Sequence, residues 1–176
     1  MAIGAFGLKK IYKRQVDNII NNSFVSWPES AKYGYFGGGS TPTIISTITR
    51  LDFSNETVTD PGNNLPTARY QAAGISNNSY GYFGGGSLTP LGAVISTITR
   101  LDFSNETVSD PGKNLPSPRS NAGGVSNNSY GYFAGGNAPA FVSTITRLDF
   151  SNETVFDPGN NLPTARQGAA GVTNSN

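Results

Sequence analysis

Tyr33-Gly34-Tyr35-Phe36 opens a block of about 47 residues that is written three times and fills most of the chain. The same tetrapeptide returns at Tyr80 and at Tyr130, so the offsets between copies are 47 and 50 residues. Self-similarity at this period marks a repeat fold, in which each unit buries its faces against its neighbours. A residue that recurs in every copy is therefore first a candidate for architecture.

The composition is typical of turn-rich β structure. The 176 residues include 22 glycines and 11 prolines, and only 13% are charged. No apolar stretch approaches the roughly 18 residues that indicate a membrane span, and the N-terminal residues lack the continuous apolar core of a secretion signal. Cysteine is absent, so the fold must hold without disulfides.

Each copy predicts four short strands joined by polar turns. In the second copy these are Tyr80 to Phe83, the β-branched run Ser96 to Phe103, a short strand at Val108, and the apolar segment Ala122 to Val125. Four strands in about 47 residues is the size of one β-propeller blade. We therefore predict a mainly β fold of three propeller blades. The predicted blades are residues 33–79, 80–129 and 130–176.

The order of features in each copy resembles the kelch repeat. Two or three glycines follow a tyrosine-bearing strand, and then come an apolar-x-x-apolar-Asp strand, one apolar residue, and Leu-Pro-x-x-Arg. The residues concerned are Gly37–Gly39, Ile48–Asp52, Val58 and Leu65–Arg69; Gly84–Gly86, Ile98–Asp102, Val108 and Leu115–Arg119; and Ala134–Gly136, Ile145–Asp149, Val155 and Leu162–Arg166. The resemblance covers residues 33–176 and implies a propeller. Kelch repeats usually have tryptophan at the three valine positions, which implies a different packing here.

The near-identical copies are also similar to kelch-like repeats in virion proteins of marine tailed phages, notably cyanophages. The similarity lies in Tyr-Gly-Tyr-Phe-Gly-Gly-Gly and in Leu-Asp-Phe-Ser-Asn-Glu-Thr, which recur almost unchanged. It implies a virion structural protein, such as a tail-fibre or appendage component, that is assembled in the host cytoplasm.

Residues 1–32 form a basic segment that does not belong to the repeats. They carry five basic and two acidic residues, a balance of 5 − 2 = +3, whereas the repeats carry seven and nine, a balance of −2. Apolar residues at helical spacing predict a short amphipathic helix. A helix of about 13 residues is too short to be stable alone. It either packs against the propeller or a sister chain, plugs into a larger particle, or lies on a membrane surface. The predicted anchor residues are Leu8, Lys9, Lys10, Ile11, Tyr12, Lys13, Arg14, Val16, Ile19 and Trp27.

Three blades are fewer than the roughly four to eight that close a propeller. By the kelch connection, Tyr33 begins its blade without an inner partner strand, and Ala169 to Val172 is an inner strand with no blade after it. Unpaired edges favour pairing with another chain. We expect a homo-oligomer, in which two chains give six blades. The alternatives are an arc completed by other virion proteins and a piece of a longer polypeptide.

The residue types exclude several kinds of catalysis. Histidine and cysteine are absent, which removes the commonest general base, the thiolate nucleophile, and the usual zinc and copper ligands. Asp52, Glu56 and Asp60 recur in equivalent settings, whereas a catalytic carboxylate pair needs two different environments. Turn capping and Asp–Arg pairing are the simpler roles, with calcium binding as the alternative. We predict no enzyme activity, no cofactor, no metal site and, because the repeats are acidic, no nucleic-acid partner.

The remaining recurrent residues have architectural interpretations. Arginines at two positions of each repeat are expected to bridge neighbouring blades, and the glycine triplets to allow close packing of strands. The tyrosines and phenylalanines of the first strand are expected to fill the core between blades.

The copies differ in length and sequence in the inserts that follow the glycines, which are residues 40–45, 87–95 and 137–142. Repeat proteins usually keep their framework and vary their binding loops. Partner or ligand contact is therefore predicted in the inserts. The predicted contact residues are Thr41, Pro42, Leu88, Pro90, Leu91, Pro139 and Phe141.

Two classes of function follow. The first is a non-enzymatic interaction protein of a virion, which docks through its N-terminal segment and presents the propeller loops. The second is a lectin-like propeller or surface adhesin, located outside the cell, whose partner is a host-surface glycan and whose aromatic residues stack on sugars.

Overall fold

The computed structural model describes residues 31–90, 92–137 and 139–174, and these residues form strands and turns without a helix. Eleven strands follow one another along this part of the chain. They are β1 (Tyr33–Thr41), β2 (Thr43–Asp52), β3 (Val58–Thr59), β4 (Ala73–Ser76), β5 (Tyr80–Gly84), β6 (Ile98–Asp102), β7 (Val108–Ser109), β8 (Gly123–Ser126), β9 (Tyr130–Ala134), β10 (Ile145–Asp149) and β11 (Val155–Phe156).

The strands form three antiparallel sheets, which we call blades 1, 2 and 3. Blade 1 has the order β1-β2-β3, blade 2 the order β4-β5-β6-β7, and blade 3 the order β8-β9-β10-β11. In blades 2 and 3 the innermost strand is the apolar segment at the end of the preceding repeat, so that Ile75 lies opposite Tyr82 and Val125 opposite Tyr132. The predicted four strands are present in the first two repeats, as β1–β4 and β5–β8, whereas the third repeat has β9–β11. The fourth strand of a repeat belongs to the following blade, so the sheets do not coincide with the predicted blade bounds of 33–79 and 80–129. Blade 1 has three strands in the described part of the chain.

The turn between the last two strands of each blade is held by its own side chains. In blade 2, the carboxylate of Asp102 accepts hydrogen bonds from the Ser104 hydroxyl at 2.6 Å and from the Ser104 backbone N–H at 2.8 Å. These bonds lower the pKa of Asp102, because they stabilise its charged form. Glu106 follows with a φ of 57°, a left-handed conformation that is uncommon for a residue with a side chain. The predicted turn is confirmed, and it points Glu106 out of its own blade.

Apolar contacts join blade 1 to blade 2. The ring of Phe83, which is 8% exposed, lies against Gly37, where a Cβ atom would come within 2.8 Å of the ring. Tyr35 stacks on Phe103 with 5.3 Å between ring centroids. Blade 2 packs against blade 3 in the same way, because the buried ring of Phe133 lies against Gly84. The recurrent aromatic and glycine residues therefore form the packing between blades, as predicted.

Polar contacts between side chains also join neighbouring blades. At the junction of blades 1 and 2, Glu106 accepts hydrogen bonds from Arg50 Nη1 at 2.8 Å and from the Tyr35 hydroxyl at 2.9 Å. At the next junction, Glu153 accepts the equivalent bonds from Arg100 and Tyr82 at 2.9 and 3.1 Å. The predicted bridging by arginines is confirmed here. The predicted Asp–Arg pairing is wrong at these junctions: the aspartates cap their own turns, and the longer glutamate reaches back to the preceding blade.

The arginine of Leu-Pro-x-x-Arg inserts into the following blade. Arg69 is 1% exposed, and its guanidinium donates to the carbonyl oxygens of Gly85 and Thr97 and to the Thr99 hydroxyl. Arg119 occupies the same place in blade 3 and is 3% exposed. Burial lowers the pKa of both arginines, because a guanidinium loses hydration there. These side chains pass from one repeat into the core of the next.

Two predictions have other outcomes. The N-terminal helix and its anchor residues, from Leu8 to Trp27, lie outside the described residues. Ala169 to Val172, predicted as a strand, is not one in the structure, because a strand needs a partner and the described residues offer it none. Among the described residues, no helix is long and apolar enough to cross a membrane.

Candidate functional site

The inserts of the three blades have different shapes. In blade 1 the insert is the tip of a long hairpin, in which Thr41 lies opposite Thr43 and Pro42 makes the turn. Thr41 and Pro42 are both exposed. This hairpin gives blade 1 its long first two strands, and its tip stands apart from the inserts of the other blades.

The insert of blade 2 folds back on itself. Ser87 bridges to Tyr70 on one side and to Val94 on the other, and the Leu88 N–H donates to the carbonyl of residue 93 at 2.9 Å. Pro90 is exposed at the tip, and Leu91 lies outside the described residues. Gly92 has a φ of 91°, which closes the loop in a conformation that favours glycine.

The insert of blade 3 is built on Asn137. Its backbone exchanges two hydrogen bonds with Ser120, at 2.8 and 3.1 Å, and it also bridges to Phe141. Pro139 is exposed, and Phe141 is 56% exposed. The insert therefore places an apolar ring in solvent and turns its polar residue inward.

A groove of about 390 Å³ lies between the inserts of blades 2 and 3. Of the predicted contact residues, Pro90 and Pro139 line it, whereas Thr41, Pro42, Leu88 and Phe141 do not. The rest of the lining consists of neutral residues. They are Tyr70, Gln71, Ser87, Gly92, Val94, Ser120, Asn121, Asn137 and Gln167. The structure thus brings two of the inserts together and leaves the first one outside.

Amide side chains are the main polar groups of this groove. The Oδ1 atom of Asn137 is buried and has no hydrogen-bond partner in the part of the chain that the structure describes. Gln71 and Asn121 both have left-handed backbones, with φ of 59° and 54°, and the Asn121 N–H donates to the Gln71 carbonyl at 2.9 Å. A left-handed conformation costs such residues about 1 kcal/mol or more. It is held here by contacts between repeats.

Sequence reasoning missed Gln71, Asn121 and Gln167, because they belong to the framework rather than to the inserts. A signal was present: the second residue after each Leu-Pro-x-x-Arg is glutamine, asparagine and then glycine. Residues that tolerate or favour the left-handed region mark a special backbone position.

The side chains that line the groove are uncharged. Among the described residues no charged side chain lines it, and the polar atoms are amides, hydroxyls and backbone groups. Tyr70 donates from its hydroxyl to the Thr89 carbonyl at 3.2 Å, which holds its ring at the edge of the blade 2 insert. Among the described residues, no three His, Cys, Asp or Glu side chains are grouped to hold a metal ion. The arrangement suits a ligand that donates and accepts hydrogen bonds and carries no charge.

Comparison with known proteins supports the fold alone. No protein-family model matches the chain, and no curated protein matches it. A solved structure titled "Structure of YjhT", a β-propeller protein, superposes with a TM-score of 0.64 at 11% identity. The match covers 78% of this chain and 51% of YjhT, so the chain spans about half the length of that protein. The three blades are therefore propeller blades.

Proposed function

We propose that this chain is a non-enzymatic interaction protein and a structural component of a virion, in the manner of a phage tail fibre or appendage. The observation that carries the proposal is the position of the inserts. The repeats are almost identical in their framework and differ in the inserts, two of which border one neutral groove. A framework of buried arginines and stacked rings holds these loops in place for contact with a partner.

The N-terminal segment supplies the second half of the proposed function. Its balance of +3 sets it apart from the acidic repeats. In this proposal the segment docks the chain to another virion protein and leaves the inserts facing outward. The similarity of the repeat sequence to repeats in virion proteins of marine tailed phages supports this assignment.

Co-sedimentation tests the proposal directly. The tagged chain is produced in a host infected with a tailed phage of this type, and particles are banded on a density gradient. The chain is expected in the particle band, and removal of residues 1–32 should shift it to the soluble fraction. A variant with Pro90→Ala serves as the matched control, because it changes the insert face and leaves docking intact. Recovery of the complete chain only in the soluble fraction would contradict the proposal.

Carbohydrate binding in the groove is the second candidate function. It is favoured by the unpartnered buried Oδ1 of Asn137 beside further amides and the Tyr70 ring. Amide groups hydrogen-bond to sugar hydroxyls, and an aromatic ring offers a stacking face. The ligand would be an uncharged glycan of a host surface.

A glycan array separates the two candidates. Asn137→Ser is the variant of choice, because blade 2 itself has Ser87 at this position and keeps the same backbone bridge. It should reduce binding of any glycan that occupies the groove, whereas Thr41→Ala, outside the groove, should not. An array on which the chain binds no glycan, or on which both variants bind as the parent does, would exclude this groove as a glycan site.

A further inference from the structure

The groove between the inserts of blades 2 and 3 is built from two equivalent halves. In the first half, Tyr70 and Ser87 exchange two backbone hydrogen bonds, of 3.1 and 2.9 Å. In the second half, Ser120 and Asn137 exchange the same two bonds, of 3.1 and 2.8 Å. The first residue of each pair follows the arginine of Leu-Pro-x-x-Arg, and the second follows the glycines. The same structural unit therefore occurs twice within one groove.

The backbone fixes the spacing of the two halves. Gln71 and Asn121 are the next residues of the two halves, and both have left-handed backbones, with φ of 59° and 54°. The Asn121 N–H donates to the Gln71 carbonyl at 2.9 Å, and the Gly168 N–H donates in turn to the Asn121 carbonyl at 2.8 Å. This row of hydrogen bonds runs from blade to blade, so the distance between the halves is set by the packing of the blades. A ligand that contacts both halves meets a preorganised surface.

Each half presents the same kinds of group to the groove. An amide side chain, Gln71 or Asn121, and a proline of the insert, Pro90 or Pro139, line each half. No charged side chain of the described residues lines either one. Amides donate and accept hydrogen bonds, and proline offers an apolar surface. This combination suits the hydroxyl groups and the C–H face of a neutral sugar unit.

The halves differ in the side chain that can hold a ligand most firmly. The first half has the ring of Tyr70, whose hydroxyl donates to the Thr89 carbonyl, whereas the equivalent residue of the second half is Ser120. The second half has Asn137, whose buried Oδ1 has no hydrogen-bond partner among the described residues, and the equivalent residue of the first half is Ser87. A ring offers a stacking face, and an acceptor without a donor favours a ligand that donates.

Both halves belong to one continuous groove of about 390 Å³, within the range of about 300–1,000 Å³ that is usual for ligand sites. A ligand confined to one half would leave the other without contact. A ligand that itself consists of repeated units can place one unit in each half. The repetition of the site therefore favours a ligand with the same property.

We propose that the groove binds two consecutive units of a linear, uncharged oligosaccharide, with one unit in each half. This inference rests on the carbohydrate-binding candidate above and names its ligand class, which is a chain of at least two neutral sugar units. The unit in the first half stacks on Tyr70, and the unit in the second half donates a hydroxyl hydrogen to Asn137 Oδ1. Because the two units are linked, occupation of one half raises the effective concentration of the second unit at the other half.

The first test is a chain-length series on the parent chain. The probes are single sugars, disaccharides and trisaccharides of glucose, galactose, mannose and the neutral N-acetylhexosamines, screened on an array and then titrated by calorimetry. In at least one series, the disaccharide should bind at least about tenfold more tightly than the single sugar, because the second unit adds its contact at high effective concentration. A third unit should add less than about threefold, since it lies beyond the second half.

Two variants assign the units to the halves. Tyr70→Ser gives the first half the serine of the second, and Asn137→Ser gives the second half the serine of the first, so each new residue already occurs in the same backbone setting. Each variant should lower the affinity for the disaccharide nearly to that for the single sugar, and lower the affinity for the single sugar by less than about threefold, because the other half remains. Thr41→Ala, outside the groove, is the control. The chain-length series uses the parent alone, so it decides the inference even where a variant does not fold.

Each outcome supports or overturns the inference. A gain with chain length that both variants abolish establishes the two halves as sugar sites. Equal affinities for single sugar and disaccharide would overturn the inference and leave carbohydrate binding as a candidate, since one unit would then occupy the groove. A gain that survives both variants would also overturn it, because the second unit would lie elsewhere. Binding to none of the probes would overturn the inference together with the carbohydrate candidate, and would leave the proposed virion role unaffected.

Discussion

Replacement of Arg69 by alanine should be among the most destabilising single changes in the repeats. The guanidinium donates to the Gly85 carbonyl at 3.3 Å, to the Thr97 carbonyl at 3.2 Å and to the Thr99 hydroxyl at 2.7 Å. The side chain is 1% exposed, so water does not replace these bonds. Each carbonyl that loses its donor costs about 1–3 kcal/mol. The two methylene groups lost beyond Cβ add about 1.6 kcal/mol.

One effect opposes this loss. Burial lowers the pKa of Arg69, which means that the charged group loses hydration in the fold. Removal of the guanidinium recovers part of that desolvation cost. The net loss expected for Arg69→Ala is about 3 kcal/mol, a large share of the roughly 5–15 kcal/mol that stabilises a typical domain. Arg69→Lys keeps a charge and loses the planar fork, so its loss should fall between alanine and the parent.

Denaturant unfolding followed by circular dichroism measures these losses. The matched control is Lys113→Asn, which removes one positive charge from an exposed turn where the first repeat already has Asn63. It should change the free energy of unfolding by less than about 0.5 kcal/mol. A loss below about 1 kcal/mol for Arg69→Ala would show that the buried fork does not hold blade 2 to blade 1. The order parent, lysine, alanine is the second check, since a purely steric role would place lysine beside the parent.

Two further predictions concern the junctions. Gly84→Ala should destabilise the fold by about 1–3 kcal/mol, because the new Cβ would come within 2.5 Å of the Phe133 ring; thermal unfolding measures this, and an unchanged midpoint would refute the close packing. Burial, together with Glu153, raises the pKa of Tyr82, so stability is complete below the ordinary tyrosine pKa of about 10 and falls as pH rises above it, by at most about 1.4 kcal/mol per pH unit for this group. Unfolding measured from pH 8 to 11 should show that decline, and Tyr82→Phe should remove its part of the slope.

The repeat period was sufficient to predict blades of four strands, because the alternation of apolar and polar residues is a local property of each strand. The inner strand at Gly123 to Ser126 was predicted from a short apolar run, and it pairs with the next repeat as expected. The role of Glu106 was not predicted. Its target, Arg50, lies 56 residues earlier in the chain, and no local pattern indicates which blade the turn faces.

The candidate site shows the same division. The inserts were identified because they differ between otherwise equal copies, and two of them line the groove. Gln71 and Asn121 were missed, because both occupy the same position in the repeated framework. Their left-handed backbone conformation places them in the lining of the groove. Thr41 and Pro42 were grouped with the other inserts by sequence. A longer hairpin in blade 1 separates them from the groove.

The sequence by itself determined the number of blades, the strands within them and the residues that recur between them, because repetition and alternation are readable along one dimension. The tertiary structure decided which of those residues meet. The pairing of Glu153 with Arg100, the burial of Arg119 and the exposure of Phe36 depend on whether a neighbouring blade is present on that side. Identical sequence motifs therefore end in different environments, and only the position of each blade in the row distinguishes a buried contact from an open face.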